Sequence, residues 1–302
     1  MKGLPTHAEI PRCETARKYL EERRWIGEVS CPDCNSSEVY ARKGKREGQF
    51  DCRECGKAFT VRTSTIFEKS PIPLNHWIYA IYALMTSRKG ISSMQLSKEI
   101  GVTQKSAWFM LQRIREACGG DVDKLNGIIE VDETYVGGKE SNKHANKNLN
   151  AGRGTVGKQA VFGMHERDGR VKAMLVDETT KSELHGIIHE TVESGSTIYS
   201  DESSSYEGIG GLFYEHGSVN HSAKQFVDGM AHINGIESVW AVLKRGYKGV
   251  YHNWSMKHCH RYVDEFSFRL NKGNVKNPTM DRIDSVISGA VGKRLTYKEL
   301  IK

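Results

Sequence analysis

The sequence predicts a multidomain α/β protein, and three observations carry that prediction. Two Cys-x-x-Cys pairs, Cys31/Cys34 and Cys52/Cys55, read as a zinc ribbon. Two helical segments split by Gly101-Val102 read as a helix-turn-helix. From Asn126 onward strand-like and helical runs alternate, as in a mixed-sheet domain. The expected boundaries are 1–70 for an N-terminal helix and the ribbon, 71–122 for the helix-turn-helix, and 123–302 for the mixed-sheet domain with the C-terminal helices.

Composition sets the frame. The 302 residues are 38% hydrophobic and 9% aromatic, enough for packed cores. The net charge is +7, and most of the excess is N-terminal: residues 1–125 hold 21 Lys/Arg against 15 Asp/Glu. That half is where an anionic partner would dock. Four of the seven cysteines lie in the paired motifs, which points to metal rather than disulfides in a reducing, cytoplasmic compartment. Met1 to Ile10 lacks a secretory pattern, and no stretch approaches the ~18 apolar residues of a membrane span, so no membrane association is expected.

Taken in order, residues 14–24 form a short charged helix. Each Cys-x-x-Cys turn presents two thiolates to one tetrahedral ion. Val39-Tyr40-Ala41 and Gln49-Phe50-Asp51 supply the hairpin between them, with Arg42, Lys43, Lys45 and Arg46 at its tip. Four thiolates leave no open coordination position, so Cys31, Cys34, Cys52 and Cys55 predict a structural Zn²⁺. Helices follow over 74–88, 92–100 and 103–117, the last capped by Thr103. If that helix enters a DNA major groove, Gln104, Lys105, Ser106 and Arg113 are its outward residues.

Gly127 to Val136 reads as a strand, and 139–158 as a polar, basic loop that nucleic acid could order, with Arg153 between two glycines. Strands are expected over 159–166 and 170–176, turning at Asp168-Gly169, then a helix over 181–190 and a strand over 196–200 ending at Asp201. A short strand near Leu212–Tyr214 and a connection with His216 and His221 lead to a helix over 232–246. There Ile236, Val239, Trp240 and Leu243 make an apolar stripe, while Glu237 and Lys244, seven residues apart, leave one face together. A final packed helix covers 255–271.

Asp132 and Asp201 fall at or near strand ends and Glu237 on a helix, with separations of 69 and 36 residues. Three converging carboxylates repel one another unless cations lie between them, and all-oxygen ligation suits Mg²⁺ or Mn²⁺. Two such ions roughly 4 Å apart serve phosphoryl transfer. Glu130, Glu133 and Glu202 read as bystanders, and His185, His189, His252, His258 and His260 as core or surface residues.

The triad with Lys244 resembles that of DDE transposases on a ribonuclease-H-like fold. The phrases Glu130 to Gly138, Ala151 to Gly154, Tyr199 to Asp201, His232 to Gly246, Tyr262 to Arg269 and Leu295 to Leu300 narrow the likeness. The chain resembles a zinc-ribbon insertion-sequence transposase of the fifteen-ninety-five family over nearly its whole length. The resemblance implies an enzyme with two Mg²⁺ (or Mn²⁺) per active site that cuts DNA at the element ends and joins the 3′-hydroxyls to target DNA. It implies terminal inverted repeats bound by the ribbon and helix-turn-helix, Lys244 and Arg245 on the DNA, and at least a homodimer. The family varies at its third acidic position, which leaves Asn234 as an alternative ligand and His232 within reach. The helical offset to Lys244 favours Glu237, with Asn234 as the helix cap. An inert DNA-binding regulator and a nuclease without strand transfer are the rival readings.

Overall fold

The computed structural model describes residues 13–120, 123–138, 155, 157–167, 169–219, 230–272 and 277–302. The loop 139–154 with Arg153, and Asp168 and His221, lie outside the described residues. In chain order the elements are α1 (Cys13–Arg24), β1 (Val39–Ala41), β2 (Gln49–Cys52), β3 (Ala58–Thr60), α2 (Leu74–Thr86), α3 (Ser93–Ile100) and α4 (Gln104–Cys118). Then come β4 (Ile128–Val136), β5 (Gln159–Glu166), β6 (Val171–Val176), α5 (Lys181–Thr191), β7 (Thr197–Ser200) and β8 (Glu215–Ser218). The chain closes with α6 (Asn234–Gly246), α7 (Cys259–Lys272), α8 (Thr279–Gly289) and α9 (Tyr297–Ile301).

These elements form two units, one of 1–120 with 275–302 and one of 121–274. The first unit corrects the expected boundary at the C-terminus. Residues 275–302 do not continue the mixed-sheet domain, because α8 packs on α1, α2 and α4. Its buried Ile283, Val286 and Ile287 are the apolar stripe that seats it there. A bridge between Thr65 and Val291 adds a backbone tie, and Asp284 accepts from Tyr19 and Arg23.

Within this unit the ribbon is an antiparallel sheet in the order β1-β2-β3, with Phe50 stacked on Phe59 and Trp25 edge-on to both. The short third strand, Ala58–Thr60, has too few residues to show a period of two and was not expected. Arg42 pairs with Asp51 through two 2.6 Å contacts, so it braces the hairpin that it was expected to tip. The helix-turn-helix forms as expected. Ser92 caps α3, Gly101 ends it in the left-handed region at φ 69°, and Thr103 caps α4 by accepting from the Ser106 N–H.

The second unit holds a five-stranded sheet in the order β6-β5-β4-β7-β8, antiparallel from β6 to β4 and parallel from β4 to β8. This is a mixed sheet, as the alternation of strand-like and helical runs predicted. Side chains alternate along β4, so its two faces feed different cores. Ile129 and Val131 join Phe162, Met164 and Ile198 beneath Leu184 and Ile188 of α5. The opposite face, with Val136, Val161 and Val171, is covered by Ile236, Val239, Trp240 and Leu243 of α6 and by Val263 and Phe266 of α7. The strand expected at Leu212–Tyr214 lies instead at Glu215–Ser218, leaving Leu212 99% exposed in a loop. Apolarity there was a poor guide because an edge strand takes its place from backbone pairing with β7.

Candidate active site and metal centre

The four ribbon thiolates converge. Each knuckle closes on itself, with Asn35 donating to the Cys31 carbonyl at 2.8 Å and Gly56 to that of Cys52 at 3.0 Å. Both following residues, Asn35 at φ 58° and Gly56 at φ 69°, adopt the left-handed conformation, which reverses the chain just past each knuckle. Cys31 and Cys55 sulfurs lie 3.6 Å apart, those of Cys34 and Cys52 3.5 Å, and all four fall within 4.8 Å of one another. A tetrahedral ion with ~2.3 Å bonds separates its sulfur ligands by about 3.8 Å, so the cluster fits a structural zinc.

The mixed sheet brings two of the expected carboxylates together. Ile128, Ile129 and Glu130 of β4 pair in parallel with Thr197, Ile198 and Tyr199 of β7. Carried two residues further, that register sets Asp132 beside Asp201 on the sheet face toward α6. Burial pushes the Asp132 carboxyl up, and the negative charges of Glu133 and Asp201 add to the effect, to about 7. Asp201 sits just past the end of β7, where its Oδ1 accepts from the Ser203 N–H at 3.0 Å and ties down the following turn.

Glu133 points to the other face, against the fully buried Tyr206, yet it too is raised, first by burial and then by the charge of Asp201. It therefore belongs to the electrostatic neighbourhood of the pair. Only its neighbouring position could have signalled this in the sequence.

Glu237 and Lys244 are exposed on α6, and the stripe between them is buried as its spacing predicts. Glu237 lies one helical turn before Trp240, whose indole N–H donates to Asp132 Oδ2 at 2.9 Å. The three carboxylates do not close on a common point. Among the described residues, the ribbon thiolates are the set of three or more ligand groups whose atoms all lie within 4.8 Å. The carboxyl pair still has the donor chemistry of a hard divalent cation: oxygen ligands, partial burial, and mutual repulsion that a cation relieves.

What positions α6 is a residue expected to be a bystander. Glu130 is 1% exposed, and its Oε2 accepts the Ile236 N–H at 3.0 Å in the first turn of α6. Its Oε1 accepts from Arg167 Nε at 3.1 Å and lies 3.3 Å from His232 Nδ1, while His165 Nδ1 is 3.8 Å from Oε2. Burial alone would raise this carboxyl, but His165, the Ile236 N–H and Arg167 outweigh it and hold it below the usual range. Gly235 is required here, since a Cβ would meet Glu130 Oε2 at 2.6 Å and overlap His165.

Glu130 thus caps α6 from a neighbouring strand, which corrects the reading of Asn234 as the cap. The N-cap position is Ile233, with no side-chain bond, and Asn234 is an exposed residue of the first turn whose carbonyl accepts from Ser238. His232 is engaged with Glu130 and Arg167.

Among the expected DNA contacts, Gln104 and Lys105 are exposed on the first turn of α4, and Ser106 is half-buried in the cap. Arg113 is not outward. It is 4% exposed and donates to the carbonyls of Leu295 at 2.8 Å and Glu68 at 3.0 Å, holding the C-terminal segment in the first unit. Its place on the helix sequence could not reveal that a later segment covers that face. The same segment brings Tyr297 edge-on to Phe109 and under the Lys105 ammonium, 4.7 Å from the ring centroid.

No helix among the described residues is long and apolar enough to cross a membrane. Residues 124–271 match the ISXO2-like transposase domain of the IS1595 group, and residues 13–58 match its transposase zinc-ribbon domain. A protein of the transposable element ISH50 of Halobacterium salinarum is 26% identical over 287 residues, 91% of this chain and 96% of its own. A transposase-like protein of Haemophilus influenzae is 28% identical over 108 residues, 36% of this chain and 86% of its own. Among solved structures, the Mos1 transposase paired-end complex matches over 70% of this chain and 78% of its own at 12% identity and a TM-score of 0.30. A simian T-cell lymphotropic virus intasome matches over 64% and 65% at 18% identity and a TM-score of 0.29. Residues 13–58 and 124–271 thus carry the zinc-ribbon and DDE transposase domains of the IS1595 family.

Proposed function

We propose that the protein binds the terminal inverted repeats of an insertion sequence, cleaves DNA at the element ends and joins the resulting 3′-hydroxyls to target DNA. The observation that supports this reading is the β4–β7 register, which continued two residues brings Asp132 beside Asp201, next to a helix that presents Glu237 and Lys244 within a transposase domain.

In this reading Asp132, Asp201 and Glu237 hold two Mg²⁺ or Mn²⁺ ions, with Asn234 as the alternative third ligand. Such an ion pair supplies charge neutralisation at the scissile phosphate and an activated nucleophile. Lys244 and Arg245, in the last turns of α6, hold the phosphodiester backbone beside the carboxylates. Hydrolysis breaks the P–O3′ bond at the element end and leaves a 3′-hydroxyl. That hydroxyl then forms a new P–O bond in the target and releases a target 3′-oxygen, so the bond count is conserved without an energy source. The first unit, with its zinc, Gln104, Lys105 and Ser106, recognises the repeats, and Arg153 contributes from the basic loop. Joining two ends requires at least a homodimer.

The deciding experiment is strand transfer of a pre-cleaved inverted-repeat end into a supercoiled plasmid with Mg²⁺ or Mn²⁺. Joining by the wild type that is lost in Glu237→Gln supports the assignment. Cutting without joining would reduce the protein to a nuclease, and tight end binding with neither would make it an inert regulator.

A further inference from the structure

Asp132 faces Gly163 across the antiparallel β4–β5 ladder. A Cβ at Gly163 would overlap Cη2 and Cζ2 of Trp240, so the missing side chain makes a socket for the indole. The ring seated there is 4% exposed, and its N–H meets Asp132 Oδ2 at 2.9 Å. A buried Trp needs a partner for its N–H. Here the partner is a carboxylate oxygen, and the consequence is geometric. With Oδ2 tethered, rotation of the Asp132 carboxylate is restricted. Trp240 is also on the helix that carries Glu237, three residues earlier. This contact therefore ties the orientation of the Asp132 carboxylate to the helix that carries Glu237.

We propose that Trp240, seated on Gly163, is the positioning residue of the Asp132 carboxylate and tunes divalent-cation affinity at the active site. The proposal rests on Asp132 being a metal ligand. Groups that orient a metal's ligands from outside typically change affinity by about 10- to 100-fold when removed.

The test uses the full chain and Mn²⁺ as probe, titrated by calorimetry. Trp240→Phe keeps an aromatic ring on Gly163 and removes the donor. It should weaken Mn²⁺ binding about tenfold while inverted-repeat binding is unchanged. A second measurement needs no folded Trp240 variant. One of the five tryptophan indole N–H resonances should move when Mg²⁺ is added to the wild type, and the same resonance should be displaced in Asp132→Asn. Wild-type Mn²⁺ affinity in Trp240→Phe, with binding lost in Asp132→Asn, overturns the positioning role and leaves the active-site reading standing. An indole spectrum indifferent to both Mg²⁺ and Asp132→Asn overturns it equally. Wild-type affinity in both variants removes Asp132 from the metal site and takes the role with it.

Discussion

Asp201 follows Asp132 by 69 residues, and 69 is also the offset of the parallel ladder that pairs Ile128 with Thr197. The two carboxylates are therefore neighbours by register. A change that slips β7 by one residue would turn Asp201 to the opposite face of the sheet. The first prediction follows from this pairing. Asp132→Asn, Asp201→Asn or Glu237→Gln should each lower end cleavage about a thousandfold, roughly 4 kcal/mol in the barrier. Inverted-repeat binding in a gel-shift assay should be nearly unchanged. Cleavage surviving in Glu237→Gln but not in Asn234→Ala would move the third ligand to Asn234.

Glu130 predicts a different phenotype from its neighbour two residues on. Glu130→Ala should cost stability, since it uncaps α6 and strands Arg167 in a partly buried site, by about 3 kcal/mol. Urea unfolding followed at the tryptophans would measure it. Gly235→Ala should give a loss of about 1–3 kcal/mol by overpacking against Glu130 and His165. A Glu130→Ala protein as stable as wild type would remove the cap assignment.

Arg113 and Lys105 should separate stability from DNA binding. Arg113→Ala leaves two carbonyls without their donor and should lower unfolding free energy by about 2 kcal/mol. Lys105→Ala should leave the melting temperature within a degree or two and weaken end binding, with a shallower salt dependence. Equal melting temperatures for both variants would show that the C-terminal segment does not depend on Arg113.

Zinc is expected at one ion per chain. Cys31→Ser should release it, unfold the knuckles around Trp25, Phe50 and Phe59, and weaken inverted-repeat binding, with the metal content read by mass spectrometry. Retention of a full equivalent of zinc by Cys31→Ser would contradict four-thiolate ligation.

The turn between β5 and β6 should carry part of the acid sensitivity. Arg170 first of all, with the N–H groups of Asn126 and Arg170, holds Glu166 down at about 2. A carboxyl lowered on folding stabilises the protein above its unfolded value near 4.5, and that contribution is lost as pH falls toward 2. Allowing for solvent screening, it is about 1–2 kcal/mol. Glu166→Gln should therefore flatten the loss of stability between pH 4.5 and 2 relative to wild type. An unchanged acid limb in denaturation curves would show that the ion pair contributes nothing.

The sequence by itself determined the local features, because each rests on short-range physics. The Cys-x-x-Cys turns, the Thr103 cap, the break at Gly101 and the buried stripe of α6 all follow from spacing and side-chain type. Its separations also held the Asp132–Asp201 register, although only the ladder gives the number 69 a meaning. The tertiary structure alone decided the rest. Glu130 became a helix cap because α6 begins above β4, more than a hundred residues away. Arg113 became a clamp because the C-terminal segment returns to the first unit. Gly163 became a socket because Trp240 crosses β5 at that point. Each of these roles depends on which distant surface covers the residue, and neither periodicity nor propensity along the chain encodes that directly.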